Sequence, residues 1–228
     1  MATVYASESG YAQRYRPESW STVRDNANAT TVNAAIQRTG NAISVLHTAG
    51  RGSNAYSVVR SYFYFDTSGI TGTISSATLK IYGYSASAAD VIAIKSTAFG
   101  GDGGTALAAG DYSAIDFSTA YSAELATWST SGYNDITLNA TATADIKNNN
   151  AFIVCLVEHD HDYADSAPSS TSIQTGLYFE PYTGTSFDPY IDYTLATGYG
   201  NIVNGVAAAN IGKVDSVATA NIEKVIGV

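Results

Sequence analysis

Tyr62, Phe63, Tyr64 and Phe65 form an unbroken aromatic run. Aromatic residues favour extended backbone, and an extended chain sends successive side chains to opposite faces, so such a strand carries bulky rings on both sides. A strand of this kind needs cover on both faces, which puts it at the centre of a sandwich rather than at a half-exposed edge. Asp66 ends the run, and a link of turn formers with two small apolar plugs, Ile70 and Ile74, follows. Ala77, Leu79, Ile81 and Gly83 then alternate with Thr78, Lys80, Tyr82 and Tyr84. That period of two predicts a half-buried strand beside the aromatic one.

The rest of the chain reads as further strands placed around this pair. Short strands are expected between Thr3 and Asp25, with Trp20 leading into one over 21–24, and again over 42–48, 91–97, 135–138, 151–158, 176–180 and 190–195. The strand over 91–97 is expected to pair with the one before it. Residues 26–41 predict a surface connection, 99–121 an irregular glycine-rich stretch, 123–128 a helical turn, and 141–147 a short helix with Ile146 inward. About ten strands in two packed sheets follow, an all-β jelly-roll sandwich.

With 228 residues, 45% hydrophobic and 14% charged, the chain can bury a sizeable core. One domain over 1–197 and a small appendage over 198–228 describe it better than two domains, because sandwiches of this size are routine.

Arg60, the aromatic strand ending in Phe65-Asp66, the link Thr67-Ser68-Gly69-Ile70, and the strand from Ile74 to Gly83 together resemble DNRLRE-type, carbohydrate-binding-module-like jelly-roll domains. Such domains occur in secreted bacterial surface proteins and in tailed-phage structural proteins. Ala109-Gly110-Asp111-Tyr112, Ser131-Gly132-Tyr133-Asn134 with Ile136-Thr137-Leu138-Asn139, and Phe187 to Tyr193 resemble the phage-type copies. The resemblance spans roughly residues 1–195. It implies a scaffold and brings no catalytic residues.

A net charge of −9 with only 11 basic residues excludes a nucleic-acid footprint, which needs clustered positive charge, and disfavours anionic membranes. No run of apolar residues is long enough for a transmembrane helix. The first 15 residues have neither a basic region nor an apolar one, so no secretory signal is expected there. A fold of extracellular type without such a signal matches a virion component released by lysis. The single Cys155 lies in the apolar run 151–157 and reads as an inert buried thiol.

The densest polar cluster is Glu158 to Asp165, with His159 and His161 and four carboxylates. Glu158, Asp160, Asp162 and Asp165 are the candidate ligands of a structural calcium ion, because hard cations take carboxylate oxygens. A solvated acidic loop is the alternative reading. Gly100-Gly101-Asp102-Gly103-Gly104 could cradle phosphate or calcium, but no Gly-Lys-Ser/Thr follows it, and a flexible loop is the plainer expectation. No motif of hydrolase, metalloprotease or P-loop type is present, so no enzyme and no cofactor other than that ion is expected. Trp20, Trp128, Tyr163, Tyr178, Tyr182 and Tyr199 are candidates for stacking on sugar rings, against the alternative of core packing.

From Val203 the chain repeats every 11 residues: Val203, Val214 and Val225 align, as do Val206, Val217 and Val228, Ile211 and Ile222, and Lys213 and Lys224. Asn204-Gly205, Gly212 and the β-branched residues weaken a helix, so short extended segments joined by turns are favoured. So few repeats cannot bury Val203, Val206, Ile211, Val214, Val217 and Ile222 alone, and these side chains need a partner, either copies of the same chain in a homo-oligomer or other virion proteins. The expected function is therefore a non-enzymatic virion structural protein, as capsid decoration, head fibre or tail-associated subunit. The alternative is a module that binds host-surface glycan.

Overall fold

The computed structural model describes residues 1–34, 39–49, 54–86, 90–169, 172–177, 184, 186–196, 213–214 and 217–218. Its strands are β1 (Ala2–Tyr5), β2 (Glu8–Arg16), β3 (Thr31–Asn33), β4 (Thr39–Ala49), β5 (Asn54–Asp66), β6 (Ile74–Ala86), β7 (Val91–Ser96), β8 (Ile115–Ala120), β9 (Tyr133–Leu138), β10 (Ala151–Glu158), β11 (Ser172–Leu177), β12 (Tyr190–Leu195), β13 (Lys213–Val214) and β14 (Val217–Ala218). Among the described residues there are two α-helices, α1 (Trp20–Arg24) and α2 (Ala140–Asn148), and three short helical turns, Phe99–Gly101, Ala109–Ser113 and His159–Tyr163.

The architecture is an antiparallel β-sandwich. One sheet runs β1-β12-β6-β9. The larger sheet is built on β5, which carries β2 and then β3 along one edge, and β4 and β10 end to end along the other. From β10 the sheet continues to β7 and β8, and from β4 to β11. The last residues of β6 pair with β11, so β6 passes from one sheet to the other.

Two cores result. The inner one lies between the sheets, where Phe63, Phe65, Phe152, Val154 and Leu156 meet Leu79, Ile81, Ile136 and Ile191. The outer one covers the far face of the larger sheet, where Tyr62, Ile94, Ile153, Cys155 and Val157 lie beneath α1 and the loops carrying Phe99, Leu107 and Tyr112. The aromatic run is thus divided by chemistry. Phe63 and Phe65 enter the inner core, while the Tyr62 hydroxyl, in the outer one, reaches the Tyr112 carbonyl at 3.1 Å. A buried phenol needs such a partner, and the loop layer supplies it. The alternation in β6 holds as well: Ala77, Leu79, Ile81 and Gly83 are buried, and Thr78, Lys80, Tyr82 and Tyr84 are not.

Several local expectations differ. Residues 20–24 are helical rather than extended, because Ser19 caps the turn by accepting from the Thr22 amide. The stretch 26–41 contains β3 and the start of β4. β7 pairs with β10 and β8, not with β6. Residues 115–120 form a strand, and 123–128 are not helical; Leu125 instead bridges to Val91. β11 begins at Ser172, four residues before the strand expected over 176–180 and overlapping it at 176–177; residues 178–180 lie outside those described.

Two glycine regions are required by packing. Phe99, Gly100, Gly101 and Gly103 all have positive φ, and a side chain on Gly103 would overlap the Tyr64 ring, so this segment is an ordered cover over β5 rather than a flexible loop. Gly83 sits where β6 leaves its first sheet, and a Cβ there would overlap the Ser129 carbonyl oxygen. A glycine inside a strand marks such a close backbone approach. Gly83→Ala should therefore destabilise the protein by about 1–3 kcal/mol or more in urea denaturation. An unchanged midpoint would show that the crossover tolerates a side chain.

Candidate functional site

The polar cluster after β10 is built from the inside of the outer core. Arg60 follows Val58 and Val59 on β5 and is 1% exposed, an environment in which a guanidinium must find a carboxylate. It finds Asp162, itself fully buried, in a bidentate pair: Nε donates to Oδ2 at 2.8 Å and Nη2 to Oδ1 at 2.7 Å. Nη1 donates to the Tyr112 carbonyl at 2.8 Å and Nη2 also to the Arg24 carbonyl at 2.9 Å. The guanidinium lies over the Tyr112 ring at 4.1 Å, and the Tyr112 hydroxyl donates to the Val23 carbonyl at 3.0 Å. One side chain thereby ties β5 to α1, to the 109–113 turn and to the loop after β10. Burial alone would lower the Arg60 pKa, but Asp162 outweighs it and holds the group charged.

Glu158 ends β10 and caps the π-helical turn His159–Tyr163, its carboxylate accepting from the amides of Asp160, His161 and Asp162. That cap presents Asp162 to Arg60. Arg24 reinforces the loop: its Nε donates to the Asp162 carbonyl at 2.7 Å and its guanidinium lies 4.2 Å over Phe117. Asp165 accepts from the Trp20 indole at 3.0 Å.

The four candidate calcium ligands are therefore not gathered at one point. Glu158 and Asp160 come within one ligand sphere together with Asp90, and Asp160 also lies near Glu124 and His159. Asp162 is engaged by Arg60 and Asp165 by Trp20. Asp90 and Glu124 carry no local sequence signal, being brought in by β7 and by the Val91–Leu125 bridge. Arg60 was legible in principle: an arginine within an apolar strand demands a buried acid, though not which of the chain's 20.

Cys155 is fully buried and faces the outer core, where burial pushes its thiol pKa well up, so it stays protonated. Trp20 is buried against Tyr56, and Trp128 packs on the inner core. Tyr163 is half-buried and stacks on His159 at 5.6 Å. Tyr178, Tyr182 and Tyr199 lie outside the described residues, as do Val203, Val206, Ile211 and Ile222 of the tail. Val214 and Val217 are cross-strand partners in a small hairpin, β13 with β14, that spans the junction of two repeats.

Aromatic residues collect elsewhere, on the outer face of the smaller sheet. Tyr5, Tyr190, Tyr133, Tyr82 and Phe187 follow one another at centroid separations of 5.6, 5.0, 5.3 and 4.7 Å. Lys80 and Asp135 pair at 2.5 Å on the same face. Partial burial raises the Tyr133 pKa to about 12, and its hydroxyl donates to the carbonyls of Ser186 and Asp188.

Removing one member of the buried pair leaves the other charge unpaired, so Asp162→Asn should cost about 3–5 kcal/mol, while Arg60→Met combined with Asp162→Leu should cost less than Asp162→Asn alone. If denaturant melts find Asp162→Asn within 1 kcal/mol of wild type, the pair is not structural. Glu158 provides a pH test. Desolvation raises its pKa above the ordinary 4.5, against the three amides that favour the carboxylate. The folded protein then holds this proton more tightly than the unfolded chain, so the contribution of Glu158 to stability declines as pH rises from 4.5 through the raised value. Glu158→Gln should make the slope of unfolding free energy against pH less negative in that window; an identical slope would contradict the assignment.

Compared with protein-family models and with curated proteins, the chain matches none.

Proposed function

We propose that this protein is a non-enzymatic structural subunit of a bacteriophage particle, displaying its β-sandwich and docking through its C-terminal repeat. The observation that carries this reading is the hairpin at the repeat junction. Lys213 pairs with Ala218 and Val214 with Val217, so apolar repeat positions are aligned on extended segments two residues long. An isolated two-stranded hairpin is marginal in water, and one this short has no stability of its own. Its partner is a second copy of the same repeat or another virion protein. The displayed part suits exposure on a particle after lysis: its densest charged cluster is engaged in holding the loop layer to the sheet, a structural use of groups that could otherwise do chemistry.

A second reading has its own support. The aromatic strip from Tyr5 to Phe187, with the Lys80–Asp135 pair beside it, is a face of the kind on which sugar rings stack, and it supports attachment to a host-surface polysaccharide. The two readings are compatible on one particle.

Mass spectrometry of purified particles should find the full chain. A truncation lacking residues 200–228 should melt at the wild-type temperature yet be missing from particles. Wild-type occupancy by the truncated protein would refute docking through the repeat, and absence of the full chain from particles would refute the virion assignment.

A further inference from the structure

Where β12 ends, the chain leaves the sandwich along the wall of a groove. Leu195 pairs with Ile74 of β6, and the Ala196 amide donates to the Thr73 carbonyl at 2.7 Å. Thr73 and Ile74 also line one side of a groove of about 310 Å³, whose other side is α2.

The groove exists because α2 commits only one of its faces to the core. Ala142 and Ile146 are buried between the sheets, whereas Ala140, Thr143, Ala144 and Lys147, spaced i, i+3, i+4 and i+7, share a second face that lines the groove. The small side chains on that face leave the room, and Ile74, itself 7% exposed, supplies apolar surface at the base. Leu195, 41% exposed, adds more where the chain departs. The far end is polar, with Lys147 and Asn148 at the last turn of α2.

Distance along the chain names the occupant. Tyr199 lies three residues beyond Ala196 and is the one large side chain between Leu195 and Ile202. Three extended residues span about 10 Å, and the helical wall from Ala140 to Lys147 is about 10 Å long at 1.5 Å per residue, so Tyr199 reaches any point on it. Gly198 and Gly200 flank the tyrosine and let the backbone turn without a side-chain clash. The ring matches the apolar base, and the hydroxyl, which needs a partner once buried, matches the end at Lys147 and Asn148. A group tethered this closely meets the groove at an effective concentration of about millimolar, which favours its own chain over a second copy.

We propose that Tyr199, in the segment 197–200 outside the described residues, seats in this groove of its own chain and latches the base of the tail to α2. The 11-residue repeats then leave the sandwich from a fixed point. The latch goes beyond docking through the repeat and is independent of what the repeat binds.

Disulfide trapping in the full chain tests it, because Cys155 is the single cysteine and is fully buried, which leaves the chemistry to introduced pairs. With Ala144→Cys and Gly200→Cys together, mild oxidation should form a bond within one chain, seen as a monomer on non-reducing gels and as two joined peptides after digestion. Adding Tyr199→Ala should slow formation of that bond tenfold or more. Failure of the bond to form overturns the proposal. So does a rate that Tyr199→Ala leaves unchanged, since tethering alone then accounts for the proximity. Bonds formed mainly between chains overturn it as well and assign the groove to a second copy.

Discussion

Arg60 stands in the middle of a strand covered on both faces, and four hydrogen bonds join its guanidinium to Asp162, Tyr112 and Arg24. Taking two charges out of water costs several kcal/mol each, so a pair like this persists only where geometry and further bonds offset that cost. Here the two further bonds go to two other segments, at Tyr112 and at Arg24, and the offset is also a connection. The helix α1, the 109–113 turn and the 159–163 turn meet in the outer core, and all three bond to Arg60. Without that shared donor, these segments would be held by the Arg24–Asp162 and Trp20–Asp165 bonds and by the outer core around Tyr62, Val23 and Tyr112.

The double cover of β5 and β10 explains the rest of the layout. A sandwich normally leaves its outer faces to solvent, with polar residues alternating outward. The larger sheet instead carries Tyr62, Ile94, Ile153, Cys155 and Val157 on its far face, and that face requires a third layer. The layer is made of loops, whose backbone groups need partners when buried. Arginine, tyrosine and capping carboxylate side chains provide them. The smaller sheet has the ordinary arrangement, and its far face is free to carry the aromatic strip.

Much of this was legible from residues, and what was not has physical causes. The aromatic run declared two-sided burial, and the alternation from Ala77 to Tyr84 declared which side of β6 faces in, because strand periodicity is local. α2 was readable from its small residues with Ile146 inward. By contrast, α1 depends on one capping serine, and β8 lies in a stretch whose glycine content reads as irregular. The partner of β7 depends on a long-range pairing that no local pattern carries. In the acidic cluster the composition was plain but the use was not: Asp162 and Asp165 look like cation ligands until Arg60 and Trp20 are brought to them from more than 100 positions away, and Glu158 until the amides of its own turn close on it. The glycines at 83 and 103 likewise acquire meaning only beside Ser129 and Tyr64.

On this account the charged cluster of the sandwich serves architecture. Its central claim is that the loop layer is part of the cooperative fold through Arg60. Native-state hydrogen exchange of the Asp160, His161 and Asp162 amides, which donate to Glu158, tests it most directly against the amides of Ser61 and Tyr62 in β5. The account predicts that the two groups exchange with the same opening free energy, that of global unfolding. Rapid exchange of the three loop amides while β5 stays protected would contradict it.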